Sequence, residues 1–169
     1  MSRLAKNDFE LFDIPPALDI DLDDLSRRYR MLQQAVHPDR FASSGDAQRR
    51  IAMQMSARVN QAYQSLKAPL TRLRSLLEIA GVDVSSATAA LDGEFLGQQI
   101  ELREELAAAH DRIELQRIRQ SLSQACAMLF SQAADVHHAG DLAGLHVLYN
   151  KLQFMYRLLE ELDRREETL

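Results

Sequence analysis

Apolar positions recur at intervals of three and four along nearly the whole chain, and no run of β-branched residues alternates with the period of two that a half-buried strand needs. Leu22, Leu25, Tyr29, Leu32 and Val36 mark one face of an amphipathic helix over Asp21 to Val36. Asp21 is its predicted N-cap, with Asp24 at the third position approximating a capping box. A longer helix is predicted over Ala47 to Lys67 from Ala52, Met55, Val59, Ala62, Tyr63 and Leu66, and Pro69 stops it. Leu70, Leu73, Leu76 and Leu77 make a short helix ending near Gly81, and Asn7 to Phe12 is a short apolar and acidic piece broken by Ile14-Pro15-Pro16. Phe41 to Asp46, with Ser43-Ser44-Gly45, reads as a loop.

From Val82 to Asp92 the composition shifts to Ser, Thr, Ala and Asp, the periodicity weakens, and the segment reads as a linker. Three helices follow. The first spans about Gly93 to His110, with a core seam of Phe95, Leu102, Leu106 and Ala109. The second, Arg112 to His138, carries Leu115, Ile118, Leu122, Ala125, Leu129, Ala133 and Val136, and Gly140 is its C-cap candidate. The third, Asp141 to Arg165, carries Leu142, Leu145, Tyr149, Leu152, Met155, Leu159 and Leu162. Short connections make chain neighbours antiparallel, so this part is predicted to be a three-helix bundle. The predicted organisation is all-α, with a helical domain over 1–80, a linker over 81–91 and a bundle over 92–169.

Composition narrows the function. The chain has 169 residues, 46% hydrophobic and 27% charged, with net charge −5 and a pI near 5.5. That balance disfavours a nucleic-acid binder held by phosphate contacts. No apolar run approaches the roughly 20 residues of a membrane span, and Met1 to Lys6 has no apolar h-region behind it. The expectation is a cytoplasmic protein with neither nucleic acid nor membrane as partner. Cys126 is the single cysteine, so no internal disulfide or multi-thiolate site is available and no cofactor is expected. His137-His138 is a weak metal pair, because adjacent helical residues point about 100° apart. They read instead as cations at a helix C-terminus.

Between the first two long helices stands His37-Pro38-Asp39. The residue before a proline is pushed out of the α region, so the upstream helix ends there and a stiff turn displays an imidazole and a carboxylate. The face of the first helix away from its apolar stripe carries Arg27, Arg28 and Arg30, and Arg40 follows the turn. Exposed cations beside a rigid charged tip suit steering and registration of an acidic protein surface. Three arginines by themselves equally describe a solvated helix face. His37 and Asp39 could form an acid–base pair in a small enzyme, but they have no evident nucleophile or orienting third group.

The helix after the linker has more apolar faces than one bundle requires. Leu96 and Ile100 lie on a stripe beside the core seam, continuing into Arg103, Glu104 and Ala108, with Glu101 and Glu104 bordering it. An apolar pair rimmed by carboxylates suits a partner offering apolar and basic groups. On the last helix Phe154 lies a full 100° step off the seam and is expected to be a further exposed anchor. Packing of Leu96, Ile100 and Phe154 against the rest of the chain is the competing expectation.

Val36-His37-Pro38-Asp39-Arg40-Phe41, Asn60-Gln61-Ala62-Tyr63, Ala68-Pro69-Leu70, Phe95-Leu96 and Glu101-Leu102-Arg103-Glu104-Glu105-Leu106 together make the chain resemble the HscB family. These are J-type co-chaperones of iron–sulfur cluster biogenesis. The resemblance implies an N-terminal J domain joined to a C-terminal three-helix bundle, with no enzymatic activity of its own. It implies that the J domain contacts the DnaK-type chaperone HscA through His37, Pro38, Asp39 and the basic residues Arg27, Arg28, Arg30 and Arg40. It further implies that the bundle binds the scaffold protein IscU through Leu96, Ile100, Glu101, Glu104 and Phe154. The protein would then deliver loaded scaffold, accelerate ATP hydrolysis by the chaperone and promote cluster transfer. Gly97 stands where the family usually has methionine, Ala108 where an acidic residue is common, and Arg40 replaces the usual lysine. A general J-type co-chaperone with another client, or with a bundle used for weak self-association, is the alternative within the same class.

Overall fold

The computed structural model describes residues 7–41, 45–85 and 93–168. Among them all regular structure is helical: α1 (Asp8–Leu11), α2 (Leu22–Val36), α3 (Asp46–Lys67), α4 (Pro69–Ile79), α5 (Gly93–Ala108), α6 (Arg112–His138) and α7 (Leu142–Glu166). A 3-10 turn, Pro38–Phe41, joins α2 to α3. The chain divides into two compact units, Met1–Ile79 and Ala80–Leu169.

In the first unit α2 and α3 run antiparallel. Leu25, Val59, Ala62 and Leu66 are fully or almost fully buried between them, and Phe9, Phe12, Leu73 and Leu77 close the core. A polar seam sets the register. Tyr29 stacks on Tyr63 with centroids 4.1 Å apart. The Tyr29 hydroxyl donates to Asn60 Oδ1 at 2.9 Å, Gln33 Nε2 donates to the same oxygen, and the Ser26 and Tyr63 hydroxyls bond at 3.1 Å. Asn60, Ala62 and Tyr63 of the Asn60-Gln61-Ala62-Tyr63 string are therefore part of the α3 side of the α2–α3 contact. Leu22 and Met55, both expected in the core, are 46% and 38% exposed. Leu22 is the first residue of α2.

Helix ends follow local chemistry. Asp21 caps α2 through the backbone N–H groups of Asp23 and Asp24 at 2.9 and 3.0 Å. The reciprocal half of the predicted capping box is absent, because the Asp24 carboxylate is engaged by Arg27 and Arg28 instead. The predicted loop at Phe41 to Asp46 is shorter than expected: Phe41 belongs to the 3-10 turn and Asp46 opens α3. Ser43 and Ser44 lie outside the described residues.

Arg72 ties the unit together from inside. It is 5% exposed, and its guanidinium donates to the backbone oxygens of Leu66 at 2.8 Å, Leu18 at 2.5 Å and Lys67 at 3.3 Å. Two of these are carbonyls left open at the end of α3, and the third belongs to the segment after α1. Burial pushes the guanidinium pKa below its usual value, and Asp19 opposes that shift.

In the second unit α6 and α7 are antiparallel, with Arg119 on α6 donating to Asp163 at 2.5 Å and Glu166 at 2.8 Å on α7. The turn between them is a Schellman motif: Gly140, at φ +74°, donates to His137 O and Asp141 donates to Val136 O. α5 runs parallel to α7, since Phe95 meets Phe154 near one end and Arg165 bonds the Leu106 and Ala109 oxygens near the other. α5 stops at Ala108, two residues before the predicted end. It buries Phe95 and Leu106, Ala109 just past its end is buried as well, and Leu102 is only partly buried. Of the predicted linker, residues 86–91 lie outside the described residues, and Val82 to Ser85 contain a turn.

Candidate functional site

Two exposed surfaces carry the predicted residues, one on each unit. On the first, α2 ends at Val36 and His37 takes φ −59°, ψ 128°, the extended geometry a following proline imposes. The Asp39 backbone N–H donates to His37 Nδ1 at 3.3 Å, and the Arg40 N–H donates to His37 O at 3.1 Å. Both bonds stay within the turn and fix its geometry. His37 and Asp39 side chains are 53% and 90% exposed, with His37 Nδ1 and Asp39 Oδ2 3.6 Å apart. With Nδ1 already accepting a bond within the turn, the pair is arranged for display. Arg40 also donates to Gln34 O at 3.2 Å, covering a carbonyl at the end of α2 and placing positive charge at the negative end of its dipole.

The arginine face is less free than its sequence suggests. Arg28 Nε pairs with Asp24 at 2.7 Å, and its Nη1 donates to the Phe12 and Asp13 backbone oxygens at 3.0 Å each. Arg28 thus braces α2 against the end of α1. Asp13 there sits at φ +53°, a left-handed position that aspartate tolerates better than most residues. Arg27 is exposed but pairs with Asp24 as well, leaving Arg30 as the exposed cation of the three without an ion pair among the described residues. Hydrogen bonds first from Arg27 and then from Arg28 hold the Asp24 carboxyl below its ordinary value of 3.8.

Beside this turn lies an apolar groove that the pattern missed, lined by Val36, Phe41, Ile51 and Met55 with Arg40 at its edge. Ile51 is 59% exposed. It stands four residues before Met55, at the edge of the α3 stripe, and that spacing is the signal that could have found it.

On the second unit, α5 presents Leu96 and Ile100 to solvent at 46% and 61% exposure, and Glu101 and Glu104 are exposed around them. Phe154 is different. It was expected as an exposed anchor, yet it is 8% exposed, packed edge-on against Phe95 with centroids 6.0 Å apart. α7 is covered on two faces, by α6 and by α5, so residues one step off its main seam are also inside. The guanidinium of Arg103 lies over the Phe154 ring, 5.4 Å from its centre, and the Lys151 ammonium lies 4.9 Å from the centre of Phe95. Phe154 therefore stands beneath the α5 surface as its support.

Among the described residues no cluster of three His, Cys, Asp or Glu could hold a metal ion. His137 and His138, with ring centres 6.2 Å apart, occupy the last turn of α6. Cys126 is 7% exposed, and burial pushes its thiol pKa up, away from a reactive thiolate.

A helical hairpin displaying His-Pro-Asp, joined in one chain to a three-helix bundle, is the architecture of J-type co-chaperones that carry a C-terminal helical module. Comparison with known proteins gives the family. Residues 91–163 match the family described as the HSCB C-terminal oligomerisation domain. A protein of Shewanella oneidensis named co-chaperone protein HscB homolog is 40% identical over 171 residues, covering 96% of this chain and 98% of the relative. The Paraburkholderia phymatum protein of the same name is 37% identical over 173 residues, covering 100% and 99%. The solved chaperone HscB from Vibrio cholerae superposes with a TM-score of 0.84 at 33% identity, over 96% of this chain and 99% of that one. Human co-chaperone HscB shares the fold at a TM-score of 0.94 and 24% identity, over 99% and 86%. The chain belongs to the HscB family of J-type co-chaperones. Among the described residues no helix is long and apolar enough to cross a membrane.

Proposed function

We propose that this protein is a cytoplasmic, non-enzymatic adaptor of iron–sulfur cluster assembly. It binds the scaffold IscU on the exposed face of α5, delivers it to the chaperone HscA, and stimulates the chaperone's ATPase through the His37-Pro38-Asp39 turn. The observation that carries the reading is the solvent-exposed pair Leu96 and Ile100, rimmed by Glu101 and Glu104, on a chain whose other unit displays His37 and Asp39. Two apolar side chains of that size left in water on one helix face suit a protein partner. The chaperone contact rests on His37, Pro38, Asp39, Arg30, Arg40 and the exposed part of Arg27; Arg28 acts behind them as a brace.

The test uses purified IscU and HscA. Leu96→Ala with Ile100→Ala should weaken the complex with IscU by about 2–4 kcal/mol, as expected for central apolar anchors, with an unchanged melting curve. His37→Gln should abolish ATPase stimulation and keep scaffold affinity. Undiminished stimulation by His37→Gln, or undiminished affinity in the double variant, would overturn the respective half. A second reading, self-association through the bundle, is favoured by the description of the matching family as an oligomerisation domain. Sedimentation of the chain alone over a range of concentrations separates it from scaffold binding.

A further inference from the structure

The α5 face holds a cation that the functional reading does not use. Taking about 100° per residue, Arg103 stands about 20° from Leu96 and about 60° from Ile100 around the helix, on the side facing α7. Glu104 and Glu101 stand about 100° and 160° from it. The surface is therefore two-signed, with the apolar pair and one arginine on one side and the carboxylates on the other. Arg103 is exposed, and its guanidinium lies over the Phe154 ring at 5.4 Å. It makes no ion pair and no side-chain hydrogen bond among the described residues, in contrast to Arg119 and Arg165 of the same unit, whose guanidinium groups are taken up by carboxylates or helix-end carbonyls.

A free arginine on a helix ordinarily samples many rotamers, and a partner must immobilise it at an entropic cost. Here the aromatic floor already restrains it. Phe154 is in turn fixed edge-on by Phe95 and buried in the bundle. Seated on the ring, the guanidinium keeps its N–H donors free, in the fork that matches a carboxylate. The proposal deepens the scaffold-binding reading and rests on it. We propose that Arg103, held on the Phe154 ring beside Leu96 and Ile100, is a specificity-determining contact of the α5 surface and receives a carboxylate of the docked scaffold. Phe154 then acts through Arg103, as the positioning residue beneath it. The partner surface this selects has an apolar centre flanked by an acid opposite Arg103 and by basic groups opposite Glu101 and Glu104; a uniformly basic surface would meet repulsion at Arg103.

The experiment measures IscU binding to the full chain by calorimetry at low and high salt, for the unsubstituted protein, Arg103→Met, Arg103→Lys and Leu96→Ala, with a melting curve for each. Methionine retains an apolar cover on Phe154 and removes the donors. Arg103→Met is expected to bind about tenfold or more weakly, as for loss of one partner of a hydrogen-bonded charge pair. Its salt dependence should be shallower and its melting midpoint unchanged, and Arg103→Lys should recover part of the affinity. If Arg103→Met binds within twofold of the unsubstituted chain while Leu96→Ala is weakened, the α5 surface stands and the role of Arg103 is refuted. Weakening of Arg103→Met with an unaltered salt dependence and no recovery in Arg103→Lys also refutes it, since that pattern reports packing alone. If neither Leu96→Ala nor Arg103→Met is weakened, the scaffold-binding reading fails and this proposal fails with it.

Discussion

Replacing Arg72 by methionine tests whether the first unit is held by its buried guanidinium. Methionine keeps the aliphatic stem and the helix propensity of arginine, so the change removes donors rather than volume. Three backbone oxygens lose a charged donor: Leu66 at 2.8 Å, Leu18 at 2.5 Å and Lys67 at 3.3 Å. Hydrogen bonds to charged groups contribute about 1.5–3 kcal/mol each, and the long Lys67 bond counts least, so the gross loss is about 4–6 kcal/mol. Burying a cation is itself unfavourable by several kcal/mol, and methionine removes that penalty. The net expectation is a destabilisation of about 3 kcal/mol, or about two orders of magnitude in opening equilibrium. Hydrogen exchange on the full chain reads it by segment. Amides of α3 and α4 should lose about 100-fold in protection, while those of α6 and α7 keep theirs. A loss of fivefold or less in α3 and α4 would show that desolvation cancels the bonds. An equal loss in α6 and α7 would show that the clamp does not act within the first unit.

Phe154→Ala should cost about 3–4 kcal/mol of bundle stability, as for other buried phenylalanines, so weakened scaffold binding in that variant reports a collapsed platform; Leu96→Ala should leave urea denaturation nearly unchanged. Gly97→Ala should stabilise α5 by about 0.5–1 kcal/mol, because an added Cβ meets nothing within 4 Å; unchanged exchange protection in α5 would contradict this. Asp24 has a depressed folded-state pKa, so its stabilising contribution is full above its ordinary 3.8 and is lost as pH falls through the lower folded value. Asp24→Asn should therefore be less stable than the parent at pH 7 and lose less on acidification below about pH 4; parallel urea midpoints across that range would refute the assignment.

Much of the architecture was legible because it depends on neighbours in sequence. Asp21 caps α2, Gly140 adopts the left-handed turn after α6, and α6 begins and ends where its stripe predicts. The end of α2 at His37 follows from the proline beside it, whatever else the chain does. The exposure of Leu96 and Ile100 was also within reach, since both fall off a stripe already complete in Phe95, Leu106 and Ala109. The role of Arg28 was not: as part of an arginine cluster it looked like a surface cation, and only the end of α1 passing within 3.0 Å of it makes it a brace. Arg72 carried a faint signal, an arginine inside the apolar run of α4 just past a helix break.

What α-helical periodicity and a proline establish from the chain alone is the set of helices, their caps and a displayed His-Pro-Asp turn, because these arise from backbone geometry over a few residues. Burial of Phe154, the idle cation above it and the inward guanidinium of Arg72 arise from how many segments converge on one position. A stripe on a single helix records one packing partner; α7 has two, and the second came into view only when α5 was laid along it.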